Sequence, residues 1–209
     1  MKVLIATGGT GGHIYPALML GQYLQKEGDA VVFAGVFNRM PDIIKGYEFP
    51  FHEIGSVGLS SNTLKSVLRF AVSMLKSIFK SQRVLRSVQP EVVIGFGGYG
   101  AFPVVVASCL AGIPAVLHEQ NVVPGRANAL LAKGVRKVAI SFSESGKYFP
   151  AQKVCLTGCP CRLTGKTVER HAAREEFHLA NDVFTVLIMG GSQASRKLNS
   201  VAAEAFYVN

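Results

Sequence analysis

Acidic residues are scarce in this 209-residue chain. Thirteen Asp and Glu stand against 22 Lys and Arg, a formal net charge of +9. An excess of that sign points to an anionic partner: phosphates, nucleic acid or a membrane surface. Cysteine is scarce too. Cys109, Cys155, Cys159 and Cys161 crowd unevenly, which is no disulfide framework for a chain this size and reads as a reducing cytoplasm. No secretory signal is expected, because Met1-Lys2 leads straight into a short strand-like run and then glycines. Hydrophobic runs of membrane-spanning length are always interrupted. The longest uncharged stretch, residues 92–117, is long enough to span a bilayer. Gly95, Gly97, Gly98, Gly100, Pro103, Gly112 and Pro114 break it, so a buried strand, a glycine turn, a helix and a second strand account for it better.

What is present is an apolar half: 49% of the residues are hydrophobic, enough for a sizeable core. Short runs rich in Val and Ile recur at 3–6, 30–34, 92–94, 115–117, 138–140, 154–156 and 184–189. They do not alternate, which is the pattern of strands buried on both faces. Helix-length segments lie between several of them. Residues 16–27 place Ala17, Leu20, Gly21 and Leu24 on one face, with Pro16 suited to the first turn and Gly28 to the C-terminal cap. Alternating strands and helices predict an α/β fold with a Rossmann-like parallel sheet.

Three stretches, VLIATGG (3–9), VVIGFGG (92–98) and TVLIMGG (185–191), each run from an apolar strand into paired glycines. The first resembles the third most. A doubly wound domain commonly opens with such a strand, so a second, similar domain is expected to start near residue 184, with only its first strand and helix present. Residues 158–182 then form the connection, and the expected division is 1–160 and 161–209. A strand and a helix cannot enclose a core alone; either the chain is truncated or these elements pack on the first domain.

A glycine turn entering a helix exposes backbone N–H groups to which the helix dipole adds positive charge. Absent side chains let an anion approach, which suits Gly8, Gly9, Gly11 and Gly12. The plainer alternative is a tight turn that packs helix on strand. Three such turns on one sheet edge in a basic protein favour phosphate binding. Neither nucleotide signature is met. The first turn has no lysine for a P-loop, and the residues Gly165-Lys166-Thr167 have Pro160 where the first glycine belongs. The dinucleotide pattern fails at Ile14, and the second strand ends Phe33-Ala34-Gly35 with no acid for a ribose. His13 follows the glycines just before the helix. A helix N-terminus disfavours the imidazolium and keeps the ring able to accept a proton. A general base beside a phosphate site is one reading, and a histidine satisfied by local backbone is the other.

GGTGGHIYPAL (8–18), GFGGYGAFP (95–103), HEQNVVPG (118–125), TGCPCR (157–162) and GGSQASRKLN (190–199) together resemble the MurG family of N-acetylglucosamine transferases. The resemblance runs over essentially the whole chain. It implies a GT-B glycosyltransferase: two Rossmann-like domains facing a cleft, inverting, with no metal and no cofactor. It also implies transfer of GlcNAc from UDP-N-acetylglucosamine to the 4-hydroxyl of the muramyl sugar of lipid I, undecaprenyl-pyrophosphoryl-MurNAc-pentapeptide, giving lipid II in peptidoglycan synthesis. The expected place is the cytoplasmic face of the bacterial inner membrane, as a peripheral protein. By position, His13 is the candidate base, with Glu119 the rival. Thr10, Gly11, Gly12, Asn121, Arg162 and Ser192 fall on the donor side. Gly8, Gly9, Gly97, Gly98, Tyr99 and His118 fall on the acceptor diphosphate. The chemistry agrees: a sugar hydroxyl must lose a proton, and the leaving UDP needs oriented donors. Glu119 also reads simply as a helix-entry or hydrogen-bonding carboxylate. Two departures stand out. Cys159-Pro160-Cys161 replaces the family's usual Asn-Pro-Val, and Ala194-Ser195 replaces Gly-Ala after GGSQ. The family binds uridine and much of the sugar beyond the point matching Asn209, so weak donor binding and negligible turnover are expected of this chain alone. A non-catalytic membrane- or glycolipid-binding module is the alternative, and an NAD-dependent oxidoreductase is disfavoured.

No acid occurs between Glu53 and Glu91, while Lys65, Arg69, Lys76, Lys80, Arg83 and Arg86 do. On a helix these basics fall within an arc of about 120°. Phe70, Met74, Ile78 and Leu85 lie opposite; Leu68, Val72, Leu75 and Phe79 project among the cations. Apolar groups among cations suit anionic headgroups and the acyl boundary, making Lys65, Leu68, Arg69, Val72, Leu75, Lys76, Phe79 and Lys80 a candidate membrane face. The alternative is an ordinary solvated face. With no interleaved aromatic platform, nucleic acid is not an expected partner. Cys155, Cys159 and Cys161 lack the spacing of a structural zinc site, and Cys155 fits a small buried thiol.

Overall fold

The computed structural model describes residues 1–37, 46–55, 63–161, 168–190 and 195–206. Two compact units divide the chain, Met1–Arg162 and Leu163–Asn209. The first carries strands β1 (Lys2–Gly8), β2 (Ala30–Val36), β3 (Phe51–Glu53), β4 (Val92–Gly95), β5 (Ala115–Glu119), β6 (Lys137–Ile140) and β7 (Val154–Leu156). Its helices are α1 (Gly11–Lys26), α2 (Leu64–Val88), α3 (Gly98–Leu110) and α4 (Arg126–Leu131), with 3₁₀ turns at Ser143–Tyr148 and Ala151–Lys153. Helices α5 (Arg170–Glu176) and α6 (Arg196–Phe206) belong to the second.

Among the described residues, seven strands form one sheet in the order β3-β2-β1-β4-β5-β6-β7, every pair parallel. The order reverses between β1 and β4. That is the Rossmann switch point, where a crevice opens beyond the carboxyl ends of the strands. β1 shows why its residues do not alternate in polarity. Val3 and Ile5 join one core with Ile14, Leu18, Phe33 and Phe96. Leu4 and Ala6, on the opposite face, join another with Val93, Val104, Leu85 and Leu117. Burying each such aliphatic side chain is worth about 1.5–3 kcal/mol, and β1 contributes to both layers.

Four expectations need correction. Helix α1 begins at Gly11 rather than at Pro16, so Gly11, Gly12 and His13 form its first turn. β3 is a further strand, three residues long, whose pattern is too short to register as a period. The run 184–189 is not a strand. Phe184 is 91% exposed, Leu187 81% and Met189 75%. Among the described residues of its own unit no strand offers this run a hydrogen-bonding edge, and an unpaired strand with uncovered apolar side chains is not stable alone. Gly191, the second glycine of the third turn, lies outside the described residues. Cys155 is exposed rather than buried, because it sits on the edge strand β7; all four cysteines are free thiols.

The stretch 92–117 resolves into β4, α3 and β5, and among the described residues no helix is long and apolar enough to cross a membrane. Two glycines set how closely neighbouring elements approach, one between helix and sheet and one between strands. A Cβ on Gly21 of α1 would meet Phe33 Cζ at 2.9 Å, and a Cβ on Gly35 of β2 would stand 1.7 Å from the Thr7 carbonyl oxygen. The second contact is with backbone of the neighbouring strand and cannot relax by a rotamer change. Gly35→Ala is therefore expected to destabilise at or above the upper end of the roughly 1–3 kcal/mol typical of overpacking, read as a lower urea midpoint.

Candidate functional site at the strand switch point

Each of the two strands flanking the switch point runs into a glycine turn and then a helix. β1 leads through Gly8 and Gly9 to α1, whose N-cap Thr10 is extended and makes no side-chain cap. β4 leads through Phe96 to α3, whose N-cap Gly97 has φ 85 and likewise caps nothing. Neither helix has an acidic residue in its first turn. Two adjacent helix N-termini are thus left without side-chain acceptors, an arrangement that attracts an anion.

The turns touch because they lack side chains. Gly98 has φ +74, and a Cβ there would lie 3.2 Å from the Gly8 carbonyl oxygen and 3.3 Å from His13 Cδ2. A Cβ on Gly9 would meet the Tyr99 ring at 3.3 Å, and one on Gly97 would meet Asn128 Nδ2 at 3.0 Å. Gly8, Gly9, Gly97, Gly98, Tyr99 and His13 therefore form one cluster, in which Gly8, Gly9 and Gly97 are buried and His13, Gly98 and Tyr99 half-buried. Gly11 is buried; Thr10 and Gly12 are exposed at its rim.

The loop after β5 closes the third side. His13 Nδ1 lies 3.2 Å from Gln120 Oε1. Gln120 Nε2 lies 3.1 Å from His118 Nδ1 and donates to the Phe96 carbonyl at 3.2 Å. His118 Nε2 is 3.0 Å from the Gly158 carbonyl oxygen, and its ring packs on Phe96 at 5.0 Å between centroids. Both His118 nitrogens are engaged and the residue is 4% exposed, so it faces inward as a support rather than outward as a diphosphate ligand. Burial pushes its pKa down, partly offset by the Gly158 carbonyl and the Glu119 charge.

Glu119, 1% exposed, is built in a similar way. One carboxylate oxygen accepts from the Asn121 amide N–H (2.9 Å) and Nδ2 (3.1 Å). The other accepts from the Gly125 N–H (3.3 Å) and Asn128 Nδ2 (2.9 Å). Four donors on a buried carboxylate make a knot that ties down the loop and the start of α4. Asn121, held on this knot, is exposed. Arg162 and Ser192 lie outside the described residues.

The glycosyltransferase family 28 N-terminal domain matches residues 3–140. The chain belongs to glycosyltransferase family 28. UDP-N-acetylglucosamine–N-acetylmuramyl-(pentapeptide) pyrophosphoryl-undecaprenol N-acetylglucosamine transferases are its relatives. That of Bacillus subtilis is 40% identical over 95% of this chain and 56% of its own length. That of Thermodesulfovibrio yellowstonii is 38% identical over 98% and 57%. This family 28 chain spans about half the length of the curated relatives it matches. Among solved structures, Acinetobacter baumannii MurG superposes with a TM-score of 0.65 at 31% identity, over 79% of this chain and 47% of that one. A UDP-GlcNAc 2-epimerase from Neisseria meningitidis, at 18% identity and a TM-score of 0.56 over 76% and 46%, shares the fold.

A second surface of the family 28 domain lies on α2. Leu68, Val72, Leu75 and Phe79 are 64%, 44%, 57% and 63% exposed, among exposed Lys65, Arg69, Lys76 and Lys80. The opposite side carries buried Ser77, Ser81, Leu85 and Val88. His52, Lys76, Phe79, Lys80, Arg83, Val84 and Ser87 line an open groove of about 690 Å³ beside it.

Two residues of the site escaped the sequence. Gln120 stood inside the HEQN motif but does not titrate; Asn128 lies ten residues from His118 and meets it only through the fold, accepting no notice from spacing. His118 also sets a pH dependence. Its folded pKa is lowered, so the unfolded chain binds the extra proton first, and stability is complete above the unfolded value of about 6.5 and falls as pH drops through the folded one. His118→Gln is expected to flatten the slope of unfolding free energy between about pH 5 and about 7, measured by urea titration at each pH.

Proposed function

We propose that this chain is the acceptor-side part of a lipid I GlcNAc transferase, with residues 1–160 as the acceptor and membrane-side domain and 161–209 as the connection and start of the UDP-sugar domain. The reaction moves GlcNAc from UDP-N-acetylglucosamine to the muramyl 4-hydroxyl of undecaprenyl-pyrophosphoryl-MurNAc-pentapeptide, with inversion. The observation that carries this reading is the pair of uncapped helix N-termini meeting at the switch point with His13 between them.

In this reading the paired turns of Gly8, Gly9, Gly97 and Gly98 receive the acceptor diphosphate at the two helix N-termini, with Tyr99 beside Gly9, whose own N–H is held by the Val36 carbonyl. Thr10, Gly11, Gly12 and Asn121, with Arg162 and Ser192, serve the donor. His13 takes the proton from the attacking hydroxyl as the new glycosidic bond forms and the bond to UDP breaks. Glu119 is a poorer base, because both its oxygens are already engaged by four donors. At the matching position of a full-length relative, His13→Ala is expected to lower kcat by roughly 10²–10⁴-fold. Wild-type turnover in that variant ends the assignment.

We also propose that α2 rests on an anionic membrane at the cytoplasmic face, its exposed Leu and Phe side chains entering the acyl boundary and its lysines meeting phosphates. Replacing Lys65, Lys76 and Lys80 together by Gln is expected to weaken binding to anionic vesicles about a hundredfold, at about 1 kcal/mol for each charge. Cosedimentation that is equal on neutral and anionic vesicles counts against membrane docking.

A further inference from the structure

The hydrogen-bond chain that ends at His13 can be followed proton by proton. Two of its members, the carbonyls of Gly158 and Phe96, can only accept. Gly158 O is 3.0 Å from His118 Nε2, so that nitrogen carries hydrogen. A neutral imidazole has one N–H, so His118 Nδ1 is a bare acceptor and needs a donor. The group beside it is Gln120 Nε2 at 3.1 Å, which also reaches Phe96 O at 3.2 Å. Both hydrogens of that amide are then committed. Turning the amide over would set Oε1 against the Phe96 carbonyl and against the His118 lone pair. Gln120 Oε1 therefore faces His13, 3.2 Å from Nδ1. An amide oxygen can only accept, so His13 Nδ1 carries the hydrogen and the lone pair is on Nε2. That nitrogen lies on the side of the glycine turns, 3.6 Å from where a Gly98 Cβ would be.

We propose that Gln120 is a positioning residue that holds His13 in its Nδ1–H tautomer, so that the bare Nε2 faces the space between the two glycine turns. The proposal rests on the reading of His13 as the base and deepens it. An unconstrained neutral histidine in water favours the opposite Nε2–H form, which would present a hydrogen to the alcohol instead of a lone pair. The second-residue hydrogen bond decides the tautomer, and here the residue is uncharged, so it sets the proton's position without adding a charge beside a diphosphate. Burial of His118 disfavours its cation, which keeps its Nδ1 bare and the chain in this one direction.

The test is the ring ¹⁵N spectrum of histidine in the whole 209-residue chain at about pH 8.5, roughly two units above the ordinary histidine value of about 6.5. The His13 resonances are assigned with His13→Asn. In the parent chain, His13 is expected to be predominantly Nδ1–H and His118 Nε2–H. Gln120→Met removes the acceptor at similar length; His13 then reverts to predominantly Nε2–H, while His118 stays Nε2–H against the Gly158 carbonyl. Gln120→Glu keeps an acceptor for His13, so its Nδ1–H survives, while the donor to His118 is lost. The proposal is overturned by a parent His13 that is mainly Nε2–H, by a Gln120→Met spectrum in which His13 does not change, or by loss of His13 Nδ1–H in Gln120→Glu. Should one variant not fold, the parent and the other still decide. Tautomers are read without substrate, so failure here is distinct from failure of the base assignment, which the turnover of His13→Ala reports.

Discussion

The contact between Gly98 and the first glycine turn is the constraint on which the site depends. β1 and β4 are hydrogen-bonded neighbours, so the two turns leaving them must share the same few ångströms. A side chain on Gly98 would collide with the Gly8 carbonyl and the His13 ring, and its φ of +74 already selects glycine. With that side chain absent, two helix N-termini converge and an imidazole lies against them. Every element of the proposed chemistry follows from that closeness.

The loop after β5 is the second half of the device. Its residues divide their work by burial. Glu119 spends its whole acceptor capacity on Asn121, Gly125 and Asn128, which fixes the backbone. Gln120, one residue on, is only half-buried and bridges His118 to His13. A buried carboxylate with four donors is worth more as an anchor than as a base, since freeing it for proton transfer would leave those donors unpaired. The arrangement links the Gly158 carbonyl, two residues past β7, to the ring at the switch point through three hydrogen bonds.

Much of this was legible beforehand. Non-alternating apolar runs at 3–6, 30–34 and 92–94 identified central parallel strands, and the glycines after the first and third marked the turns that meet at the switch point. The amphipathic face of α2 followed from helical spacing alone, and its Leu68, Leu75 and Phe79 are exposed among cations. Other features were not legible for physical reasons. β3 is too short to carry a period. Helix α1 starts five residues early, the backbone carbonyl of Thr10 accepting from the His13 and Ile14 N–H groups despite the low helix propensity of Gly11 and Gly12. The run 184–189 has strand composition without a strand, since composition describes what a segment would bury and not whether a neighbour is there.

The amino-acid order by itself determined the layers, the glycine turns and the basic helix, because these depend on local periodicity and on the absence of side chains. Only the tertiary structure decided which polar groups face inward. His118, Glu119 and Gln120 are consecutive and all polar, yet one supports, one anchors and one bridges. Their roles are set by carbonyls and amides from Phe96, Gly125, Asn128 and Gly158, which approach from distant parts of the chain. Hydrogen-bond direction depends on such partners, and no spacing in a sequence encodes it.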